Sequence, residues 1–293
     1  MTQITKDGLT AKSLLSREDV KKKFTEILGK KGQGFITSVL QIIATNDKLT
    51  KAEPYSVYNS AALAATLDLP INQNLGFAYI IPYDAKQKDG TYKTVAQFQM
   101  GYKGFIQLAQ RSGQFLTISA APIYEGQLVS QNPLTGFEFD FTQKKSDVIV
   151  GYAAYFKLLN GFEKTLYMTV DELKKHGTKF SQTFKKGFGL WKDDFDSMAI
   201  KTVIKLLLSK FAPLSIEMQK ALITDQAVIN DEGGEDVTYS DHEEVIIDKE
   251  AERVVVMIEE AKTIAELDEL YEHVKDEQME LFLTKKELLS NGK

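Results

Sequence analysis

The sequence predicts an α+β fold in which a core of mostly antiparallel strands and hairpins is flanked by helices. Three observations support this class. Residues 1–66 have the apolar spacing of helices, residues 67–230 contain several strand-like segments with few helices between them, and residues 248–293 return to helical spacing after an acidic linker at 231–247. Consecutive strands joined by short turns pair antiparallel, because a parallel pair needs a long crossover connection. One mostly antiparallel sheet is the simplest assembly of these strands.

Three helices are predicted in the N-terminal segment, residues 1–66. The first begins at Ser16 and Asp19, which resemble a capping box, and ends before Gly29. The second follows a glycine-rich turn and carries apolar residues at core spacing. The third begins near Pro54, since proline lacks the N–H that the first turn of a helix leaves unpaired. We expect this segment to pack on the strands that follow.

The stretch from Val95 to Gly113 predicts a strand, a tight corner and a helix. Its first half alternates, with Phe98 and Met100 on one face and Gln97 and Gln99 on the other, as a half-buried strand requires. A Gly-Tyr-Lys-Gly corner follows, and beyond it the apolar residues recur at helical spacing. We therefore expect an aromatic ring and a cation side by side between the strand and the helix.

A hairpin is predicted from residues 76–83 and 92–102, whose connecting loop contains the turn signal Asp89–Gly90. Further strand candidates lie at 116–126, 137–143, 146–159 and 164–170. A strongly amphipathic helix is predicted at 197–211, where apolar side chains recur every three or four residues.

The chain holds no cysteine, and 43% of its residues are hydrophobic. No apolar run approaches the roughly 18 residues of a membrane span, and the N-terminus MTQITKDGLTAKSLL lacks the apolar core of a secretory signal. The absence of cysteine rules out disulfides, thiolate metal sites and a cysteine nucleophile. We therefore expect a cytoplasmic protein without a membrane partner.

The net charge of −5 conceals two unlike parts. Residues 226–293 hold 7 Lys+Arg against 20 Asp+Glu, a net charge of −13, which leaves +8 for residues 1–225. A basic body with an acidic appendage favours a polyanionic partner for the body and a separate role for the tail. Chance segregation of charge between two domains is the alternative.

The motifs of common enzymes and cofactor sites are missing, so we expect a protein that is not an enzyme and needs no cofactor. His176, His242 and His273 lie in separate segments without metal-ligand spacing and are expected at the surface. There is no G-x-S-x-G nucleophile motif. The glycine-rich stretch at 29–34 lacks the lysine of a nucleotide-binding P-loop, because Phe35 follows it. Work driven by nucleotide hydrolysis is therefore not expected.

Asp193, Asp194 and Asp196 are the best candidates for a metal site, and they could hold Mg²⁺ as in a metal-dependent nuclease. The same three acids stand just before the amphipathic helix, where carboxylates cap free N–H groups and complement the helix dipole. Helix capping is the simpler explanation, and the nuclease is the alternative function.

The basic residues of the body are nearly all lysine, with Arg17 and Arg111 the exceptions before residue 226. Lysine binds phosphate as a point charge, whereas arginine is the usual bidentate reader of guanine, so this composition favours binding without sequence preference. Thirteen lysines between Lys144 and Lys210 are interleaved with the aromatic residues Phe180, Phe184, Phe188 and Trp191. Such a mixture suits single-stranded nucleic acid, whose bases stack on aromatic rings. Core packing is the alternative for each phenylalanine.

Six segments of the body form an ordered series: LGFAYIIPY (75–83), AQFQMGYKGFIQLAQRSGQF (96–115), IYEGQ (123–127), NPLTGFEFDF (132–141), VGYAAYFKLLNGFEKTLYMT (150–169) and WKDDFDSMAIKTVIKLLLSKF (191–211). In this series the chain resembles the RecT family of phage and prophage single-strand annealing proteins. The resemblance implies ATP-independent binding of single-stranded DNA and annealing to a complementary strand, in homologous recombination and DNA repair in the bacterial cytoplasm.

The resemblance also implies assembly and partners. Homo-oligomeric rings or helical filaments would form on single-stranded DNA and on the annealed duplex, and a partner 5′-to-3′ exonuclease would supply the single strand. The acidic C-terminal module would contact host proteins such as single-strand-binding protein. A scaffold whose acidic module is its main binding surface is a further alternative.

An annealing protein must hold one strand by its backbone and leave the base edges free for pairing. We therefore expect the strand at 95–102 and its hairpin partner to form the wall of a DNA groove. The predicted DNA contacts are, in chain order, Gln97, Gln99, Tyr102, Lys103, Arg111, Trp191, Lys192, Lys201, Lys205 and Lys210. The glutamines would hydrogen-bond sugar or phosphate, the aromatic rings would stack on bases, and the cations would neutralise phosphate.

Overall fold

The computed structural model describes residues 9–72, 74–86, 90–132, 134–185, 187, 189–229, 237–238, 257–258, 261, 263–271 and 279–291. The chain divides into two compact units, Met1–Asp241 and His242–Lys293. The chain is an α+β protein with antiparallel strands and N-terminal helices, as the sequence predicts. Over the described residues, no helix is long and apolar enough to cross a membrane.

Five helices form the described part of the N-terminal segment: α1 (Ala11–Leu15), α2 (Glu18–Leu28), α3 (Gly32–Ala44), α4 (Asp47–Lys51) and α5 (Pro54–Thr66), with a 3-10 turn at Gly29–Lys31. The three predicted helices correspond to α2, α3 and α5, and Pro54 occupies the first turn of α5 as expected. The capping box expected at Ser16 and Asp19 is wrong. Ser16 instead ends α1, and the guanidinium of Arg17, the N-cap of α2, pairs with Asp19 at 2.6 Å.

The described strands form four separate antiparallel sheets rather than the single sheet expected. The strands are β1 (Ala78–Lys86) paired with β2 (Tyr92–Met100), β3 (Phe115–Tyr124), β6 (Ile149–Leu158) and β7 (Glu163–Thr169) in the order β3-β6-β7, β4 (Leu128–Asn132) paired with β5 (Gly136–Phe139), and β8 (Val228–Ile229) paired with β9 (Val237–Thr238). The free edge of β2 is occupied by a bridge between Phe98 and Ala227. Strands β3, β6 and β7 therefore form a sheet that is separate from the β1–β2 hairpin.

Helix α5 lies at the centre of the N-terminal packing, and ten of its thirteen residues are buried. Its side chains are mostly small, which allows close approach to β2. Ser56 Oγ accepts a hydrogen bond from the backbone N–H of Ala96 at 2.8 Å, and Asn59 Nδ2 donates to the carbonyl of Ile229 at 3.0 Å. The N-terminal segment is thus packed on the strands, as expected, and shares their core.

The remaining helices of the body are α6 (Tyr102–Arg111), α7 (Val170–Phe180), α8 (Gln182–Lys185), α9 (Leu190–Asp193), α10 (Phe195–Phe211) and α11 (Ile216–Thr224). Helix α10 packs on the three-stranded sheet and on α6. Val203, Ile204 and Leu207 anchor it, and each is fully buried. A single apolar core extends from Ala11 to Ile229, so α10 joins the hairpin region to the larger sheet.

The second unit contains α12 (Ile264–Glu269) and α13 (Met279–Asn291), and a small apolar core that includes Leu267 and Phe282. Thr263 is the N-cap of α12, and its Oγ1 accepts a hydrogen bond from the backbone N–H of Glu266 at 3.2 Å. Much of the C-terminal module predicted at 248–293 lies outside the described residues. The predicted linker and domain boundaries stay predictions, although β9 falls within the linker range and pairs with β8.

Candidate nucleic-acid interface

Strand β2 turns directly into helix α6 at Gly101, as the sequence predicts. The Gly101 N–H donates to the carbonyl of Phe77 at 2.9 Å. A Cβ at Gly101 would overlap the carbonyl oxygen of Gly76, so only glycine fits here. The backbone-to-backbone packing makes the corner tight and places Tyr102 and Lys103 in the first turn of the helix.

A pocket of about 390 Å³ opens beside this corner, between the hairpin and the start of α10. Its lining includes Tyr79, Gln99, Tyr102 and Lys103 on the hairpin side and Asp194 and Lys201 on the helix side. We call it the corner pocket. Four of the predicted DNA contacts therefore converge on one cavity, although they come from two distant segments of the chain. Aromatic rings beside ammonium groups are typical of sites that bind single-stranded nucleic acid.

A second, open depression of about 580 Å³ runs along α6, with Lys103 and Arg111 among its lining. Lys103 is exposed and borders both cavities. Arg111 is anchored: its Nη2 donates to the carbonyl of Leu67 at 2.5 Å, and its Nη1 lies 3.7 Å from the carboxylate of Asp68. The guanidinium therefore fastens the end of α6 to the turn after α5, while 36% of the side chain stays exposed.

The expected solvent-facing position is wrong for Gln97, which is 1% exposed. Residues 95–98 are all buried, because β2 is covered on both of its faces and alternation of polar and apolar side chains does not mark a solvent side here. Gln99 is half-buried, and its Nε2 donates to Oε1 of Gln97 at 3.4 Å. Gln99 thus reaches the corner pocket, while Gln97 supports it from the interior.

Trp191 is also buried, with 5% of its surface exposed. Its ring lies 5.6 Å from the rings of both Phe184 and Phe195. The structure therefore contradicts an exposed stacking platform at Trp191, because the aromatic residues of this loop pack on each other. Phe180, by contrast, is 37% exposed, and Phe188 lies outside the described residues.

Lys201 and Lys205 share one face of α10, but that face points to the buried carboxylate of Asp225. Lys201 Nζ lies 2.9 Å from Oδ1 of Asp225, and Lys205 Nζ lies 2.7 Å from Oδ2. The side chain of Lys201 is 8% exposed and that of Lys205 is 29% exposed. Burial opposes ionisation of Asp225, yet the two ammonium groups hold its pKa below its usual range. The expectation that Lys201 is available to DNA phosphate at the surface is wrong, because its side chain is enclosed. The side chain of Lys205 is partly exposed.

Lys192 and Lys210 are exposed, as phosphate-binding lysines must be. Lys210 also belongs to a group of cations around His176. Burial, together with the positive charges of Lys205, Lys179 and Lys210, lowers the pKa of His176. The histidine expected at the surface is therefore half-buried beside a basic surface formed by the ends of α7 and α10.

Asp193 ends α9, Asp194 precedes α10, and Asp196 lies in the first turn of α10. Asp194 is the N-cap of α10, and its Oδ1 accepts a hydrogen bond from the backbone N–H of Ser197 at 3.2 Å. Asp196 accepts a hydrogen bond from the hydroxyl of Tyr152, and burial and this carboxylate raise the pKa of that hydroxyl. Within the described ranges, no three His, Cys, Asp or Glu residues are grouped so as to hold a metal ion. Helix capping is confirmed at Asp194.

Sequence reasoning missed Asp225, although a signal was available. The residue stands in the apolar run ALITDQAVI, which is typical of a buried segment. A carboxylate in such a segment needs a partner of opposite charge, and the two lysines one turn apart on α10 are that partner.

A model of the RecT family matches residues 33–246. This protein belongs to the RecT family. It is 48% identical over 250 residues to the uncharacterized protein YqaK of Bacillus subtilis (strain 168), across 84% of this chain and 82% of that protein. It is 31% identical over 192 residues to the protein RecT of Escherichia coli (strain K12), across 61% of this chain and 65% of that protein. The family resemblance found in the sequence is confirmed.

Family membership supports a DNA-binding protein of single-strand annealing and recombination, and it gives no support to the nuclease alternative. The matched range begins within α3 and includes the hairpin, α6, α10 and Asp225. Every element that builds the corner pocket therefore lies in the part of the chain that the family shares.

Proposed function

We propose that this protein binds single-stranded DNA by its phosphate backbone, at the corner pocket and along the lysines of α6 and α10, and anneals it to a complementary strand without ATP. The observation that carries the proposal is the convergence of Gln99, Tyr102, Lys103 and Lys201 on one pocket of a basic body. Membership of the RecT family supports the class of reaction.

The side chains at this surface suit binding by the backbone. Lysine neutralises phosphate without reading base edges, so the bound strand would keep its pairing edges free. The ring of Tyr102 stands next to Lys103 and would stack on one base. Stacking and pairing of the new duplex release about 1.4 kcal/mol per base-pair step, which drives annealing without nucleotide hydrolysis.

The small size of the site supports assembly into an oligomer. One pocket covers few nucleotides, so pairing along a strand would need several adjacent protomers, in a ring or a helical filament. A 5′-to-3′ exonuclease would expose the strand. The acidic module at 248–293 would bind the host single-strand-binding protein or another partner.

Annealing of two labelled complementary oligonucleotides without ATP, in parallel reactions with EDTA and with Mg²⁺, tests the proposal. We expect duplex to form faster with the protein than without it, and both strands to stay at full length. Strand shortening that requires Mg²⁺ would establish a nuclease instead. An unchanged rate, with no binding of single strands at low salt, would favour the scaffold alternative.

The mass of the complex tests the assembly. We expect protein on a long single strand to run as particles of many times the protomer mass of 32.9 kDa in mass photometry. Single protomers spaced along the DNA at saturating protein would contradict a ring or filament.

A further inference from the structure

The carboxylate of Asp225 is fully buried at the C-terminal end of α11 and accepts three strong hydrogen bonds. The backbone N–H of Met100 donates to Oδ1 at 2.8 Å, and Lys201 Nζ donates to the same oxygen at 2.9 Å. Lys205 Nζ donates to Oδ2 at 2.7 Å. Charge-assisted bonds of this kind are directional, so the carboxylate holds each of its donors in place.

These donors come from the two sides of the corner pocket. Met100 ends β2 and immediately precedes the turn that carries Tyr102 and Lys103, whereas Lys201 lines the pocket from α10. The residue after Asp225 is tied to the same strand, since the Gln226 N–H donates to the carbonyl of Phe98 at 2.9 Å. One buried carboxylate therefore joins the hairpin side of the pocket to its helix side.

The charges of this group do not balance. Two ammonium groups share one carboxylate, which leaves a surplus of one positive charge. Lys201 is enclosed, while Lys205 is the more exposed partner at 29%. A phosphate at the surface can therefore attract Lys205 without drawing the enclosed ion pair apart.

We propose that Asp225 is a positioning residue for DNA binding. It holds Lys201 and the Met100–Lys103 corner on opposite sides of the pocket, and it leaves Lys205 to be shared with a DNA phosphate. This inference rests on the proposed function, because it concerns the same pocket.

A positioning role and a simple counter-ion role have opposite effects on affinity. If Asp225 only balanced charge, replacing it with asparagine would make the surface more positive and strengthen the binding of a polyanion. If Asp225 positions its donors, the same substitution releases them and weakens binding, although the protein has become more positive.

Binding of labelled oligo(dT) to the full chain, measured by fluorescence anisotropy at several salt concentrations, separates the two roles. We expect Asp225→Asn to bind about tenfold more weakly, the effect of one lost charge-assisted hydrogen bond. We also expect the slope of log K against log salt to fall in magnitude by about one. Unchanged or tighter binding by a folded variant would overturn the proposal.

A second pair of variants covers the case in which Asp225→Asn does not fold, because it leaves a buried ammonium group without its partner. Lys201→Met keeps the Asp225–Lys205 pair, and Lys201→Met/Asp225→Asn leaves no enclosed charge. We expect the double variant to bind oligo(dT) about tenfold more weakly than Lys201→Met. Equal or tighter binding by the double variant would overturn the proposal, and circular dichroism verifies that both are folded.

Asp84→Asn is the matched control. Asp84 lies on β1 opposite Thr94, away from the pocket, and pairs with Lys48 at 2.9 Å. The same chemical change there is expected to leave affinity equal or slightly tighter. Failure of the wild-type chain to bind oligo(dT) at low salt would refute the proposed function, whereas wild-type binding without a loss in the Asp225 variants would refute the positioning role alone.

Discussion

The backbone of Phe98 forms an antiparallel bridge with Ala227: the Phe98 N–H donates to the Ala227 carbonyl at 3.0 Å. Ala227, Val228 and Ile229 are all buried. The segment after Asp225 is therefore part of the hairpin region, although the sequence from residue 226 onwards is strongly acidic. The change in charge along the chain does not mark the end of the folded body.

Two truncations test where the body ends. Removal of residues 242–293 is expected to leave annealing of naked DNA largely intact, because β8, β9 and the pocket remain. Removal of residues 226–293 takes away three buried apolar side chains as well, and large ones contribute about 1.5–3 kcal/mol each. We expect only the longer deletion to lower the melting temperature strongly. Equal melting temperatures for the two truncations would contradict the structural role of Ala227–Ile229.

Lys103→Ala is expected to weaken binding of single-stranded DNA to a similar degree for all base sequences. Lys103 is exposed between two cavities, so its loss removes a phosphate contact and should reduce the salt slope by about one. Anisotropy titrations with oligo(dT), oligo(dA) and mixed strands measure both effects. Lys12→Ala, an exposed lysine on α1, is the control. Equal affinities for Lys103→Ala and the control would show that single-stranded DNA binds at a surface that does not include Lys103.

The intrinsic fluorescence of the protein reports on Trp191, since the chain contains one tryptophan. Trp191 packs between Phe184 and Phe195, so its emission is expected at a shorter wavelength than in the urea-unfolded chain and should resist iodide quenching. Saturating oligo(dT) is expected to change the intensity little. Strong quenching by DNA would mean that the ring stacks on a base, as the sequence first indicated.

Stability is expected to depend on pH through His176. Burial and the neighbouring lysines lower its pKa in the folded chain, while the unfolded value is about 6.5. As the pH falls below that value, the unfolded chain binds a proton that the folded chain does not, so the folded state loses stability. Melting temperatures of the wild type and His176→Gln between about pH 8 and 5.5 measure this. The melting temperature of the wild type should fall more than that of His176→Gln as the pH is lowered. Parallel plots of melting temperature against pH would contradict the lowered pKa of His176.

The turn from β2 into α6 could be predicted from sequence because its signals are local. Alternation over 95–102, the glycines of the corner and the helical spacing after them depend on neighbouring residues alone. The same reasoning failed at Gln97 and at the single sheet. Both depend on what covers β2, and its partners come from α5 and from residue 227.

The candidate site likewise combines features that the sequence alone determines with features that depend on tertiary packing. Composition and motif order are properties of the chain itself, and they were sufficient for the α+β class and the RecT family. Which lysines reach solvent depends on packing between distant segments. Lys201 is buried in an ion pair with Asp225, and Arg111 is hydrogen-bonded to the turn after α5. Lys103, by contrast, is exposed. Burial and long-range ion pairing are tertiary properties, because they are set by residues far apart in the chain that meet only when it folds.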